Sequence, residues 1–381
     1  MASIQKRPDG VWRARYRDPA GREHAQHFKR KVDAQQWLDE ATASMVVGLY
    51  VDPKAGKITF DDWFSLWSDL QVWEPGTMTA AGRAAKDLPF GSLPLNAITS
   101  LHVQAWVKAL EARGLAASTI RMRFNYVHMA FRAAVGERVA KDPSSLSSGR
   151  NGPGVRLPKE SRSSAREIPT SEQVRALYDA AAFHFRPFIA TCAFAGLRLG
   201  EAAGLQLRDV VFLERRIHVQ RQVQGQTTAD VRQSDPKAKS DRWVPIPEEL
   251  VLILSGHVHT TGVMGEEEWL FTPDAQHVYN RNSAGHQWRQ ACRAAGVTGF
   301  TLHSLRHFYA SALIHGGCDV VTVQRALGHS SPEITLNTYS HLWPNADDRT
   351  RTAASDAART VLADSLRTTG TKNASDKAGQ R

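Results

Sequence analysis

A segment near the middle of the chain, residues 142–167, separates two long regions of regular hydrophobic spacing. It reads DPSSLSSGRNGPGVRLPKESRSSARE, which is rich in Ser, Gly, Pro and Arg and has no hydrophobic period. Such a composition is typical of a linker between domains. The chain has 381 residues, enough for two or three domains, so we predict a multidomain protein.

Charge and composition restrict the class of partner. Hydrophobic residues make up 42% of the chain, which supports folded cores, and the net charge of +10 favours nucleic acid or an acidic membrane surface. No apolar run approaches the roughly 18 residues of a membrane span, and the N-terminus lacks the apolar core of a secretory signal. The three cysteines are far apart, which argues against disulfides or a thiolate metal site. We expect a soluble, reduced, cytoplasmic protein.

Residues 1–55 are predicted to form a three-stranded sheet backed by one helix. The turn signals PDG and PAG bracket the strand VWRARYRD, in which Arg13, Arg15 and Arg17 alternate with apolar residues and so share one face. Residues 1–31 hold nine Lys or Arg against three Asp or Glu, a balance of +6. Arginines alternating on a sheet can follow a DNA groove and its phosphates, although a solvated sheet face has the same pattern.

Residues 56–141 are predicted to be helical. The segment TFDDWFSLWSDLQVW has aromatic and apolar residues at helical spacing, which we interpret as core. The later segment AASTIRMRFNYVHMAFRAAVGERVA keeps its apolar residues on one face and places Arg121 and Arg123 elsewhere, where they are candidate DNA contacts. Between them, EPGTMTAAGRAAKDLPFG is short and is predicted to be irregular.

Residues 168–366 form the largest region. Its patterns predict mostly helices together with a small antiparallel sheet, built from the strands RRIHVQRQVQ and RWVPIP on either side of the loop QSDPKAKSD. The last residues, 367–381, are polar and are expected to be disordered. The predicted fold class is therefore multidomain α+β, with a small sheet-plus-helix module, a helical domain and a mostly helical third domain.

Four motifs of the third region carry side chains that suit phosphate chemistry: GLRLGE, DPKAKS, HSLRH and LGHSSPEITLNTYSHL. In order they contain Arg198 with Glu201, Lys237 with Lys239, His303 with Arg306, and His329 with Tyr339. Two arginines can bind the non-bridging oxygens of one phosphodiester and stabilise the charge that gathers on phosphorus in the transition state. A tyrosine is a poor nucleophile, since ionising it at neutral pH costs about 4 kcal/mol, but a nearby His and two guanidinium charges can compensate.

A loop lysine can protonate the sugar oxygen that leaves. The set suffices for cleavage of DNA through a phosphotyrosine, with no metal and no cofactor. Two other patterns suggest different sites. His303 and His307 are four residues apart, but Ser304 stands where the zinc-binding HExxH pattern requires Glu. The segment ALIHGGCDVVTVQRAL resembles a helix-turn-helix, which explains the basic charge but leaves the other motifs unexplained.

The order of these motifs, with their flanking residues, resembles that of the tyrosine recombinases of the phage integrase family. The resemblance covers the whole chain. It implies that residues 1–55 are an arm-type DNA-binding domain, residues 56–141 a helical core-binding (SAM-like) domain and residues 168–366 the catalytic domain. The fragment GSLPLNAITSLHVQAWVKALEARGLAASTIR is similar to core-binding domains of actinobacterial and actinophage integrases.

The resemblance also implies roles for single residues. Tyr339 attacks the scissile phosphate and forms a 3′-phosphotyrosyl link, while Arg198 and Arg306 bind the phosphate oxygens. The remaining implied roles are a proton shuttle for His303, a phosphate hydrogen bond for His329, a bracing carboxylate for Glu201 and a general acid for Lys237. Lys239 stays an alternative general acid.

The family likeness implies partners as well: double-stranded DNA with core-type and arm-type sites, a homotetramer on DNA, a host bending factor and an excision factor. The function implied is integration and excision of a mobile element in the cytoplasm of a bacterial host. Two alternatives remain, a type IB topoisomerase and a DNA-binding regulator without catalysis.

Overall fold

The computed structural model describes residues 2–48, 50–86, 88–147, 152–159, 167–236, 240–274, 276–343 and 350–362. The chain divides into two compact units, residues 1–165 and residues 166–381. No helix within the described ranges is long and apolar enough to cross a lipid bilayer. Residues 367–381, which are expected to be disordered, lie outside those ranges.

The first unit begins with the predicted sheet and helix. Strands β1 (Ser3–Lys6), β2 (Trp12–Arg17) and β3 (Glu23–Phe28) form an antiparallel sheet in that order, followed by helix α1 (Lys31–Val46). The alternation in β2 places Ala14 and Tyr16 in a small core with Ala34 and Leu38 of the helix. The arginines of β2 consequently lie on the opposite face of the sheet.

A polar cluster ties the chain after α1 to this sheet. Asp18 and His24, both buried, share a 3.0 Å hydrogen bond, which lowers the pKa of Asp18. Arg22 pairs with Asp18 and, at 3.4 Å, with Asp52. The ligand atoms of His24 and the two carboxylates lie within 4.8 Å of one another, as in a metal site, but Arg22 already pairs with both carboxylates. We interpret the cluster as a structural clamp.

Among its described residues, the rest of the first unit contains four α-helices: α2 (Phe60–Asp69), α3 (Pro75–Ala85), α4 (Ser100–Ala112) and α5 (Ala117–Ala134). Their core contains the predicted aromatic stripe, with Phe60 and Phe131 4.7 Å apart between ring centroids. The prediction of an irregular segment was wrong, since α3 lies there. That helix is built largely from small residues and so shows little hydrophobic periodicity.

Part of the segment between the two regular regions is attached to the helical core. Val155 is buried there and forms an isolated β-bridge with Leu146. The Gln104 side chain of α4 accepts from the backbone N–H of Arg156 at 2.7 Å and donates to its C=O at 3.1 Å. A few scattered apolar residues in a run of Ser, Gly and Pro give no periodic signal, so this attachment was not predicted. Residues 148–151 and 160–166 lie outside the described ranges.

The second unit is mostly helical, as predicted. Its helices are α6 (Ser171–Ala180), α7 (Arg186–Phe194), α8 (Leu199–Ala203), α9 (Glu248–Thr261), α10 (Arg281–Ala295), α11 (Leu302–His315), α12 (Val320–Leu327) and α13 (Pro332–Tyr339). Residues 350–362 form a further, exposed helix. Helix α9 was not predicted, because EELVLILSGHVHTT has apolar residues around most of its circumference.

The small sheets of the second unit are antiparallel. Strands β4 (Val210–Val211), β5 (Arg216–Val219) and β8 (Arg242–Pro245) form one, and β6 (Gln222–Gln224) with β7 (Arg232–Ser234) the other. The strand predicted as RRIHVQRQVQ is thus two strands. They separate at Arg221, whose buried guanidinium pairs with the buried carboxylate of Asp209. The predicted fold class, multidomain α+β, is confirmed.

Candidate active site

The first arginine of the site lies at a sharp break between two helices. Gly196, between α7 and α8, has φ +65°, and a Cβ there would meet the Tyr309 ring at 2.2 Å, so only glycine fits without rearrangement. Arg198 then caps α8, and its backbone N–H donates to Glu201 at 3.0 Å. Its guanidinium donates to the same carboxylate at 2.6 Å and to the carbonyl oxygen of Gly328 at 3.3 Å.

Glu201 is the fully buried anion of the site, with 0% exposure. Burial by itself raises the pKa of Glu201, but attraction and hydrogen bonding from Arg242, together with Arg198 and Arg306, outweigh it and lower the pKa to about 2. Arg242, 8% exposed at the start of β8, donates to this carboxylate at 2.9 Å and to the carbonyl of Ala326 at 3.0 Å. One carboxylate therefore bonds two arginines and attracts a third.

Arg306 is buried to 1% exposure on α11. Its guanidinium donates to the backbone carbonyls of Gly196, at 2.6 Å, and Leu327. These two bonds tie the α7–α8 break to the C-terminal end of α12. Burial, followed by repulsion from Arg198, lowers the pKa of Arg306 to about 9, which leaves the side chain charged at neutral pH.

His329 follows the turn that ends α12. Gly328 closes that helix with φ +62°, and a Cβ on it would meet the Arg242 guanidinium at 2.8 Å. The Nδ1 atom of His329 lies 2.9 Å from the buried hydroxyl of Thr335. Burial and repulsion from Arg306 and the other arginines lower the pKa of His329 to about 4, so the imidazole is neutral at pH 7.

Tyr339 is the last residue of α13 and is only 2% exposed. Its hydroxyl shares a 2.6 Å hydrogen bond with Nδ1 of His307, which is 7% exposed. The exposed His303 lies one helical turn earlier, with its ring centroid 4.8 Å from that of His307. Tyr339 also lies close enough to Arg306 for a phenolate charge to raise the pKa of that arginine.

The two candidate general acids fall between β7 and β8 in the sequence. Lys237 and Lys239 lie in the loop between β7 and β8, outside the described residues. Their roles stay predictions. The flanks of the loop are described: Asp235 accepts a hydrogen bond from Gln222 on β6 at 2.7 Å, and Arg242 begins β8 beside Glu201.

The predicted DNA-contacting arginines belong to the first unit. Arg13, Arg15 and Arg17 extend from one face of β2, and Glu23 of β3 lies 3.6 Å from Arg13 and 4.0 Å from Arg15. Arg121 and Arg123 are half-buried on α5. A sheet face whose arginines are only weakly neutralised stays strongly basic, which is compatible with phosphate contact.

The structure brings together Arg198, Glu201, Arg306, His329 and Tyr339, as the sequence suggested, and adds three residues that sequence reasoning missed. Arg242 had no signal beyond its position shortly after the lysine loop. Thr335 lies in an ordinary helical pattern. The sequence indicates His307 only as half of a possible metal-binding pair with His303, because nothing local indicates that Tyr339 reaches it.

Comparisons with known proteins agree with this architecture. Residues 168–345 match the model of the phage integrase family, and residues 2–46 match that of the phage integrase N-terminal domain. The chain is 28% identical over 276 residues to a tyrosine recombinase XerC-like protein of Caldanaerobacter subterraneus, covering 66% of this chain and 69% of the relative. It is 30% identical to the ICEBs1 integrase of Bacillus subtilis over 42% of this chain and 46% of that protein.

A solved structure has the same fold. The Tn1549 transposon integrase in complex with transposon right end DNA superposes with a TM-score of 0.68 at 18% identity, covering 79% of this chain and 100% of that one. Two family models, sequence relatives and a shared fold all point in one direction. The chain belongs to the phage integrase family of tyrosine recombinases.

Proposed function

We propose that this chain is a site-specific DNA recombinase that cuts and rejoins strands through a 3′-phosphotyrosyl intermediate on Tyr339, and so integrates and excises a mobile element. One observation carries the proposal. Arg198 and Arg242 bond the buried carboxylate of Glu201, which also attracts Arg306, and both Arg198 and Arg306 donate to the turn that leads to Tyr339. Such a cluster has excess positive charge and so suits a phosphate.

In the proposed reaction Arg198 and Arg306 donate to the non-bridging oxygens of the scissile phosphate. As phosphorus becomes pentacoordinate these oxygens gain negative charge, and donors already held in place stabilise that charge more than the ground state. His329 adds a third donor. Its pKa of about 4 keeps it neutral, and if the Thr335 hydroxyl donates to Nδ1, the ring proton sits on Nε2.

Nucleophile and leaving group need proton transfers in opposite directions. The Tyr339 hydroxyl loses its proton, for which the resemblance assigns His303, and the 5′ oxygen gains one from Lys237 or Lys239. The phosphotyrosyl link retains the energy of the broken phosphodiester. A second strand's 5′ hydroxyl can therefore displace Tyr339 and reseal the DNA without ATP.

Two of the proposed groups are covered in the arrangement described above. At 2% and 1% exposure, neither Tyr339 nor Arg306 has a surface that an external phosphate can touch. The proposed reaction therefore requires the surface that covers Tyr339 and Arg306 to open when DNA binds. That requirement would keep Tyr339 from attacking unintended DNA.

The domain roles belong to the same proposal. Residues 1–55 bind arm-type sites, residues 56–141 bind core-type sites, and residues 168–366 carry the catalysis, with residues 142–167 between them. Four protomers on two paired DNA sites would exchange strands, assisted by a host bending factor and an excision factor. The basic face of β2, with Arg13, Arg15 and Arg17, supports the arm-site assignment.

A type IB topoisomerase and a non-catalytic DNA-binding regulator are the alternatives. A topoisomerase does not need to pair two DNA sites, so a separate basic module at the N-terminus favours the recombinase. A regulator does not need a nucleophile beside two arginines, so the proximity of Arg306 and Tyr339 disfavours it.

A plasmid that carries two copies of the recombination junction distinguishes the recombinase, the topoisomerase and the regulator. The DNA flanking the gene supplies the junctions, and recombined product is measured for wild type, Tyr339→Phe and the control Tyr178→Phe, whose residue lies on α6. We expect recombined junctions with wild type and the control but none with Tyr339→Phe. Relaxation of supercoils without junction exchange would support the topoisomerase, and DNA binding without either activity would support the regulator.

A further inference from the structure

We propose that His307, the residue after the phosphate-binding Arg306, is the catalytic base that accepts the proton of Tyr339. The proposal rests on the proposed function, since it concerns the same nucleophile. It reassigns a role that the family resemblance gives to His303. The geometry that carries it is the 2.6 Å bond between Nδ1 of His307 and the Tyr339 hydroxyl.

A general base has to lie within hydrogen-bond reach of the proton that it removes, about 2.6–3.2 Å between heavy atoms. His307 meets that requirement. His303 lies on the exposed side of α11 and makes a ring contact with His307 at 4.8 Å between centroids. An exposed imidazole beside a buried one offers the proton a path to solvent.

The surroundings favour a phenol that donates. Both side chains are almost fully buried, and a hydrogen bond in such a place is stronger than one in water. Arg306 lies close enough to Tyr339 for its charge to stabilise a phenolate. The nucleophile therefore has both a proton acceptor and a compensating cation within one side-chain cluster.

The proposed step moves one proton from Tyr339 to His307 and one from the loop lysine to the DNA. The O–H bond of Tyr339 breaks and the proton moves to Nδ1 of His307, which becomes an imidazolium. The phenolate oxygen forms a bond to phosphorus, and the bond from phosphorus to the 5′ oxygen breaks, with its electron pair staying on that oxygen. The 5′ oxygen takes a proton from the loop lysine. When the strands are rejoined, His307 returns its proton to the phenol.

The buried bond could instead serve only to hold α13 in place, and the test separates the two roles. His307→Asn keeps a polar side chain that can bond the phenol but that cannot accept its proton. Covalent adduct formation is measured in a single turnover on a nicked junction DNA, together with DNA affinity and the unfolding midpoint. We expect adduct formation to fall about 10²–10⁴-fold, as for loss of a general base, with affinity and unfolding midpoint unchanged.

Two further variants complete the design. His307→Ala opens space beside the phenol, and added free imidazole should restore part of its adduct formation. His303→Ala should reduce adduct formation much less than either His307 variant. Full activity of His307→Asn, or failure of both His307 variants to fold, would assign a holding role and overturn the proposal. Adducts formed by Tyr339→Phe would overturn the proposed function itself, which is a distinct result.

Discussion

Replacing Glu201 by Gln tests whether one carboxylate holds the three arginines together. The side chain is 0% exposed and accepts from Arg198 at 2.6 Å and from Arg242 at 2.9 Å, with Arg306 nearby. Glutamine has nearly the same shape but no charge, and its NH₂ group would face guanidinium donors. The substitution leaves three cations close together without their shared anion.

The expected loss of stability in Glu201→Gln follows from the pKa of Glu201. A pKa of about 2, against 4.5 for an ordinary Glu, corresponds to about 3 kcal/mol in favour of the ionised form in the folded state. Removing one partner of a buried ion pair costs about 3–5 kcal/mol, which agrees. Because the folded-state pKa is depressed, this stabilisation is complete above about pH 4.5 and is lost as the pH falls towards 2.

Urea unfolding, followed by circular dichroism across that pH range, measures the effect. We expect Glu201→Gln to lower the free energy of unfolding by about 3 kcal/mol at pH 7, and the difference from wild type to shrink below pH 4.5. The control is Glu249→Gln, an exposed position on α9, which should change little. A loss below about 1 kcal/mol, or one that is independent of pH, would refute the reasoning.

Three further predictions follow from single contacts. Gly328→Ala should lower the free energy of unfolding by more than the about 1–3 kcal/mol typical of a strained backbone, since its Cβ would displace the Arg242 guanidinium. The control Gly296→Ala has a φ of +66° with open space around the Cβ, so it should show the backbone strain alone. Equal losses of stability by calorimetry would contradict this. Tyr279→Phe should raise the free energy of unfolding by about 1 kcal/mol, because that hydroxyl is buried without a partner among the described residues. Arg15→Ala should reduce the slope of log affinity against log salt by about 0.9 on arm-type DNA, and an unchanged slope would remove Arg15 from the interface.

Local signals were sufficient for much of this molecule. The motif GLRLGE and the His–x–x–Arg spacing of HSLRH each depend on neighbouring residues, so the sequence alone identified these chemistry-bearing side chains. Alternation in β2 likewise predicted the arginine face. Secondary-structure propensity and side-chain spacing depend on a few neighbouring residues, and so do these features.

The missed features depend on contacts between distant segments. Arg242 reaches Glu201 across 41 residues and Ala326 across 84, so its role exists only once β8, α8 and α12 have packed together. His307 meets Tyr339 across 32 residues in the same way. Helix α9 was hidden for a different reason, since apolar residues around a helix erase the amphipathic period.

The central claim is that Tyr339 becomes covalently linked to DNA, and denaturing capture of protein–DNA adducts tests it most directly. Wild type and Tyr339→Phe are compared in cells that carry the gene in its native DNA, with the attached ends sequenced and the linked peptide identified. The account predicts adducts at one or two discrete sites, through a 3′ phosphate on the Tyr339 peptide, in wild type alone. Adducts on another residue, or equal adducts in Tyr339→Phe, would contradict it.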